Sequence, residues 1–292
     1  MLKETIGCAA ALGSAAAWAY SSILFRKIGD KVPPAGMNLA NSAIGLVYMG
    51  LALAALGIAP MDQRSFYILG VSGLLGIALG GILFFRALLC LGPRLMMLTG
   101  LSVPPATILL AVFFLNERPP AAAWAGSLLV FTGIALAVWK PRGAGPSRRV
   151  IPGLTYAGLS AACTALSIVL AKSGVAGVSA LQGSFIRHLW AAAALAGWGL
   201  ATGGLKGWLA PFGDRRLFRL TLFSVFVVIF GGFWLSMVAL KYTYASIATI
   251  LNMTEPLFIL PLTALLLKEK ITARELAGAV TAFSGVVLIF LR

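Results

Sequence analysis

Apolar residues in this chain run in blocks of about twenty, cut by short clusters of charge, glycine and proline. A helix rises about 1.5 Å per residue, so about twenty residues span the roughly 30 Å hydrocarbon core of a bilayer. Cutting at charges and turn residues gives ten such runs, near 5–25, 35–58, 66–88, 93–115, 120–139, 151–172, 179–201, 217–240, 243–267 and 271–291. The connections are short, and only 140–150, with Gly143, Gly145 and two prolines, reads as a linker. The pattern predicts an all-α integral membrane protein of ten transmembrane helices. Five fall in 1–140 and five in 151–292, with 141–150 between them.

The halves repeat each other. Shifting the first by 146 residues lays Gly7, Ser14, Ala15, Ala19, Ser21 and Leu24 on Gly153, Ser160, Ala161, Ala165, Ser167 and Leu170, and Arg26 on Lys172. Later in each half the shift is 152, which matches Pro104 with Pro256, Glu117 with Glu269, Gly126 with Gly278 and Gly133 with Gly285. A signal peptide could begin with Lys3 and an apolar stretch. The first run matches the sixth, however, and is expected to stay in the mature chain. With five helices per half, equivalent helices cross in opposite directions, an inverted repeat of the kind found in secondary transporters.

Composition agrees with the pattern. The chain is 60% apolar and 11% charged, with mean hydropathy +0.97, too few polar residues to coat a soluble core of this size. Twenty-three Lys and Arg face eight acids, a net +15. On a soluble domain that would suggest nucleic acid, but here the cations sit in short loops that meet lipid headgroups, so no nucleic-acid partner is expected. Sixteen cations flank the odd-numbered connections and six lie on the other side. The positive-inside rule then puts the odd connections in the cytoplasm and both termini outside. Cys8, Cys90, Cys163 and the lone His188 form no metal spacing, and no phosphate loop, nucleophile elbow or cofactor motif is present.

The closing segment of each half carries a resemblance. Thr254-Glu255-Pro256, then Leu265 to Lys270, then Gly278 and Gly285 resemble the EamA-type exporters of the drug/metabolite transporter superfamily. Val103-Pro104, Leu115 to Arg118, Gly126 and Gly133 form a weaker first copy. The resemblance covers essentially the whole chain. It implies ten helices in two repeats and export of amino acids, other metabolites or drugs. It also implies cytoplasmic termini, against the charge count.

Within the runs, few residues can carry chemistry. Pro104 with Pro105, and Pro256 with Pro261, fall at equivalent places in runs four and nine. Proline leaves carbonyls without intrahelical partners, and in lipid these survive only against protein or a water-filled cavity. A packed kink would serve, but the symmetry of the breaks favours helices that line a substrate path. Glu255 is the one carboxylate deep in a run, with Asn252 one turn earlier on the same face. It could cap backbone groups freed by Pro256, carry a proton or hold a substrate ammonium. Arg187 lies at a similar depth, within about 6 Å along the helix axis, and could pair with Glu255 or take a substrate carboxylate. His188 reads as packing. Trp18, beside Ser14, Ser21 and Ser22, is placed on a face suited to a cavity, and Asn38 and Asn41 add amides that hydrocarbon would penalise.

These readings favour an exporter of small amphipathic metabolites, such as amino acids, working by alternating access in a bacterial-type inner membrane. The expected partners are that substrate, membrane lipids and, for coupling, protons, and assembly as a homodimer is left open. No enzymatic activity is expected, and a membrane enzyme or lipid flippase using Glu255 and Arg187 is the alternative.

Overall fold

The structure is a computed structural model and describes residues 2–29, 31–100, 102–138, 150–255, 257–258, 261–262 and 273–290. Most of these residues are helical, with no strand among them. The helices are α1 (Leu2–Gly29), α2 (Pro34–Leu56), α3 (Gln63–Gly73), α4 (Gly80–Gly100), α5 (Val103–Leu115), α6 (Ala121–Val138) and α7 (Val150–Val175). In the second half they are α8 (Ala180–Ala201), α9 (Leu205–Leu209), α10 (Arg215–Phe226), α11 (Leu235–Tyr242), α12 (Ala245–Asn252) and α13 (Ala273–Phe290). A π-helical turn, Leu74–Leu79, joins α3 to α4, and a second, Val227–Trp234, joins α10 to α11.

The helix starts follow from local chemistry. Asp62 caps α3 by accepting from Ser65 N at 3.0 Å, and Ser179 caps α8 by accepting from Gln182 N at 3.1 Å. Asp214 accepts from Arg216 N at 2.8 Å and Leu217 N at 3.4 Å at the start of α10. Those bonds hold its carboxyl below the usual carboxylate range. α2 opens on Pro34, where the missing N–H has no intrahelical partner to lose. α5 ends on Asn116 in the left-handed region, φ 53°.

Five helical segments are long and apolar enough to cross a bilayer: Lys3–Phe25, Pro34–Leu56, Gln63–Phe84, Ile151–Val175 and Arg215–Tyr242. Shorter apolar helices include Ala106–Leu115, Ala121–Gly133 and Leu276–Leu288. Large side chains such as Leu51, Phe113, Phe114, Leu128 and Phe283 point outward and exposed. Lipid accommodates an apolar exterior of this kind, and water does not. This is a multi-pass membrane architecture.

One boundary differs from the sequence pattern. Run three was expected to end near 88 and run four to begin near 93. The helical backbone instead continues through α4 to Gly100, and the interruption falls at Ser102. Pro104 and Pro105 therefore do not kink a helix from within. They occupy the first turn of α5, where a missing N–H costs least. The expected linker lies outside the described residues, apart from Val150.

The packing repeats between the halves. α1 lies against α10, the second π-helical turn and α11, as α7 lies against α3, the first π-helical turn and α4. α1 also touches α12 as α7 touches α5, while α2 pairs with α8 and α6 with α13. At the α6–α13 crossing a Cβ on Gly133 would collide with Ala282 N, and one on Gly285 would sit 2.5 Å from Gly126 O. The matched glycines thus lie where the two backbones come closest.

Candidate functional site

The two π-helical turns organise the interior. Such a turn shifts the backbone hydrogen-bond register and leaves carbonyls for other donors. Ser14 Oγ donates to Gly232 O at 2.8 Å, and Ser160 Oγ donates to Gly80 O at 3.0 Å. Both members of each bond are repeat partners. Asn38 Nδ2 donates to Ile77 O at 2.8 Å, and its 146-shifted counterpart Ser184 donates to Phe233 O at 3.4 Å. The sequence pattern gave no sign of these turns, although the matched serines marked the residues that serve them.

The breaks in runs four and nine are also equivalent. Ser102 Oγ donates to Thr99 O at 2.7 Å, and Thr254 Oγ1 donates to Leu251 O one repeat later. Pro256 and the side chain of Pro105 lie outside the described residues, Pro104 is buried and Pro261 is exposed. Beside the second break, Asn252 Nδ2 donates to Ser236 Oγ at 3.1 Å, while its Oδ1 is buried without a partner. Glu255 is half-buried and has no hydrogen bond or ion pair among the described residues.

Arg187 does not pair with Glu255. Its Nη2 donates to Ser167 Oγ at 3.1 Å, its Nη1 contacts Met237 Sδ at 3.3 Å and its Nε has no partner. The reason is steric. A Cβ at Gly73 would collide with the Arg187 carbonyl, and one at Gly76 with Ser167 Oγ. Gly73 lets the α8 backbone approach closely, and Gly76 leaves room for Ser167 and the guanidinium side by side. The one ion pair among the described residues, Lys31 with Asp214, is an exposed contact at 4.0 Å.

Trp18 is packed and does not line either cavity described below. Its ring meets Phe233 edge-on at 4.9 Å, and its indole nitrogen faces Gly232. Phe233 also stacks edge-on with His188 at 4.5 Å. His188 is fully buried, with Nδ1 2.8 Å from Ser184 O and Nε2 unpartnered. Asn41 Oδ1, Ser21 Oγ and Ser42 Oγ are likewise buried without partners. The Ser22 side chain lies outside the described residues.

At one end of the bundle, end A, two halves of the chain are fastened together. Glu117, just after α5, accepts from Ala245 N at 2.6 Å, Ser246 Oγ at 2.8 Å and Ser246 N at 3.3 Å, so an acid of the first half caps α12 of the second. From α7, Lys172 Nζ donates to Leu240 O and Thr243 O, each at 2.6 Å. Lys241 Nζ donates to Val178 O at 2.6 Å, and a Cβ on Gly7 of α1 would lie 3.0 Å from Thr243 N. The sequence shows Glu117 only as the match of Glu269, and Lys172 only as the match of Arg26, with no partner for either. Farther in, Ser72 and Ser167 each donate a hydroxyl to the other's carbonyl at 2.7 Å, joining α3 to α7.

Two cavities lie at opposite ends. The one at end A holds about 10 Å³ between Ile108, Trp124 and Ile250, and the other holds about 170 Å³ at end B, beside Asn38 and Arg86. Among the described residues no group of three His, Cys, Asp or Glu could hold a metal ion.

Comparison with known proteins fits this arrangement. A crystal structure of a protein 19% identical to this chain superposes with a TM-score of 0.76 over all of this chain and 99% of its own, a likeness of fold alone. Over 82 residues the chain is 35% identical to a protein of Acidianus ambivalens described as an "Uncharacterized transporter in sor 3'region". That match spans 27% of this chain and about a third (32%) of the relative's length. The model of the EamA-like transporter family matches twice, at residues 5–139 and again at 151–291. Nearly the whole chain is accounted for by two copies of one unit, and the protein belongs to the EamA-like transporter family.

Proposed function

We propose that the protein is a secondary transporter that exports small amphipathic metabolites, amino acids among them, by alternating access between two inverted five-helix repeats. The supporting observation is an asymmetry between equivalent contacts. Ser72 and Ser167 are joined by reciprocal hydrogen bonds. Their repeat counterparts are Ser224 and Ser21. Ser224 donates back to Leu220 O in its own helix, and Ser21 Oγ is left buried and unpartnered. The same contact between the repeats is thus joined toward end A and parted toward end B. A repeat protein in which these two equivalent contacts can exchange forms presents its centre first to one side of the membrane and then to the other.

In this reading the orphaned polar atoms of Arg187, Asn41, Asn252 and His188 belong to the transport path, because buried polar groups without partners are costly unless water or substrate visits them. Arg187 takes the substrate carboxylate, and Glu255 with Asn252 takes an ammonium group or the coupling proton. The breaks at Pro104 with Pro105, and at Pro256 with Pro261, flank that path. The domains are 1–140 and 151–292 around the linker, ten spans cross a bacterial-type inner membrane, and end B faces the cytoplasm.

Flux of a labelled amino-acid panel in proteoliposomes, with and without a pH gradient, tests the proposal. Counterflow of at least one amino acid is the expected result. Chemical conversion without flux would overturn it in favour of an enzyme.

A further inference from the structure

The end-B cavity is built differently from the interior. Its walls include Pro33 and Pro34 at the start of α2, Asn38 one turn further in, Ile82 and Arg86 on α4, and Trp198 near the end of α8. Arg86 is exposed, lies 5.9 Å from the ring centroid of Tyr156 and has no carboxylate partner among the described residues. Guanidinium offers five donors in a planar fork, and a cation–π contact uses only its face. The donors remain available to an anion.

Asn38 supplies the opposite character. Its Nδ2 is committed to Ile77 O in the first π-helical turn. What it has left is one further N–H and the amide oxygen, the latter a pure acceptor. The cavity therefore combines a fork for an anion, an acceptor for an N–H group and apolar walls from Ile82, Trp198 and the prolines. Its volume, about 170 Å³, is below the roughly 300–1,000 Å³ of sites that hold drug-sized ligands.

We infer that this cavity is a loading site for small zwitterionic α-amino acids, with Arg86 receiving the carboxylate, the Asn38 amide oxygen receiving the ammonium and Ile82 with Trp198 receiving a short apolar side chain. The inference deepens the transport reading and rests on it for direction. End B is the cation-rich end, so substrate loads from the side on which export begins.

The test uses the full chain in lipid nanodiscs and three probes: L-valine, L-valinamide, which lacks the carboxylate, and 3-methylbutyrate, which lacks the ammonium. Calorimetry should show that valine binds more tightly than either fragment. Arg86→Gln, at an exposed position where folding is not at stake, should weaken valine and 3-methylbutyrate at least tenfold and leave valinamide unchanged. Arg86→Lys should recover part of the loss. Equal valine binding by wild type and Arg86→Gln would overturn the site, as would wild type that binds none of the probes. Flux separates the two readings. Valine flux with an unchanged KM in Arg86→Gln would remove the site and keep transport. Arg86-dependent binding without flux of any probe would keep the site and remove transport.

Discussion

At the scale of single residues, two charges at similar depth along their helices turn out to be neighbours of different things. Arg187 is turned toward Ser167 and Met237 by the space that Gly73 and Gly76 leave, while Glu255 stands beside the break after α12. Groups that share no contact perturb stability independently, within about 0.3–0.5 kcal/mol. Arg187→Gln, Glu255→Gln and the double variant should therefore give additive losses in the free energy of unfolding in detergent. A coupling above about 1 kcal/mol would mean that the two side chains meet. Flux adds a second readout. Glutamine keeps the size and most of the hydrogen bonding of Glu255 but cannot ionise, so a backbone-capping role would survive the exchange. A coupling or substrate-binding role predicts at least a tenfold fall in flux, about 1.4 kcal/mol, with the protein still inserted. Normal flux across pH would return Glu255 to a cap.

At the scale of elements, much of the plan was legible because it is written in periodicity. Apolar runs of bilayer length fall on Lys3–Phe25, Pro34–Leu56, Gln63–Phe84, Ile151–Val175 and Arg215–Tyr242, and the 146 and 152 shifts pair Ser14 with Ser160 and Pro104 with Pro256. The two π-helical turns were not legible. A one-residue change in hydrogen-bond register leaves the 3.6-residue apolar pattern almost intact, and its cost is met by hydroxyls far away in sequence. The missing turn near 89–92 and the Arg187 geometry escaped for a related reason, since both depend on which helix lies opposite. Glu117 shows the same limit. Its position after α5 gives no hint of a distant partner, yet it caps α12 from 128 residues away. Glu117→Gln should loosen that end without unfolding the bundle, because a neutral amide is a poorer partner for the free N–H groups and their dipole. Hydrogen exchange should quicken at Ala245 and Ser246 by a factor of about 5–30, the equivalent of about 1–2 kcal/mol, while α2 and α8 keep their protection. Unchanged exchange at both amides would show that the cap contributes nothing to closing end A.

At the scale of the whole molecule, orientation and alternation are separable questions. The sixteen-to-six division of cations predicts that a reporter fused at Gly145 reads cytoplasm and one fused after Arg292 reads outside. The reverse result would exchange the labels of the two ends and leave the repeat untouched. Alternation has its own test in the serine pairs. Ser72 Oγ and Ser167 Oγ lie 3.1 Å apart, close enough for cysteines there to be bridged in the form described. In a background without Cys8, Cys90 and Cys163, Ser72→Cys with Ser167→Cys should cross-link readily under mild oxidation and stop flux until a reductant is added. Ser21→Cys with Ser224→Cys occupies the equivalent positions in the parted contact, so it should cross-link slowly at first. Any condition that favours the opposite form should speed that second reaction and slow the first. An anticorrelated pair of rates is the signature of repeats that exchange conformations, because the contact at one end can join only as the equivalent contact at the other end parts. Both pairs closing together, or the second never closing while substrate moves, would mean that the asymmetry is fixed in the fold and that transport proceeds some other way.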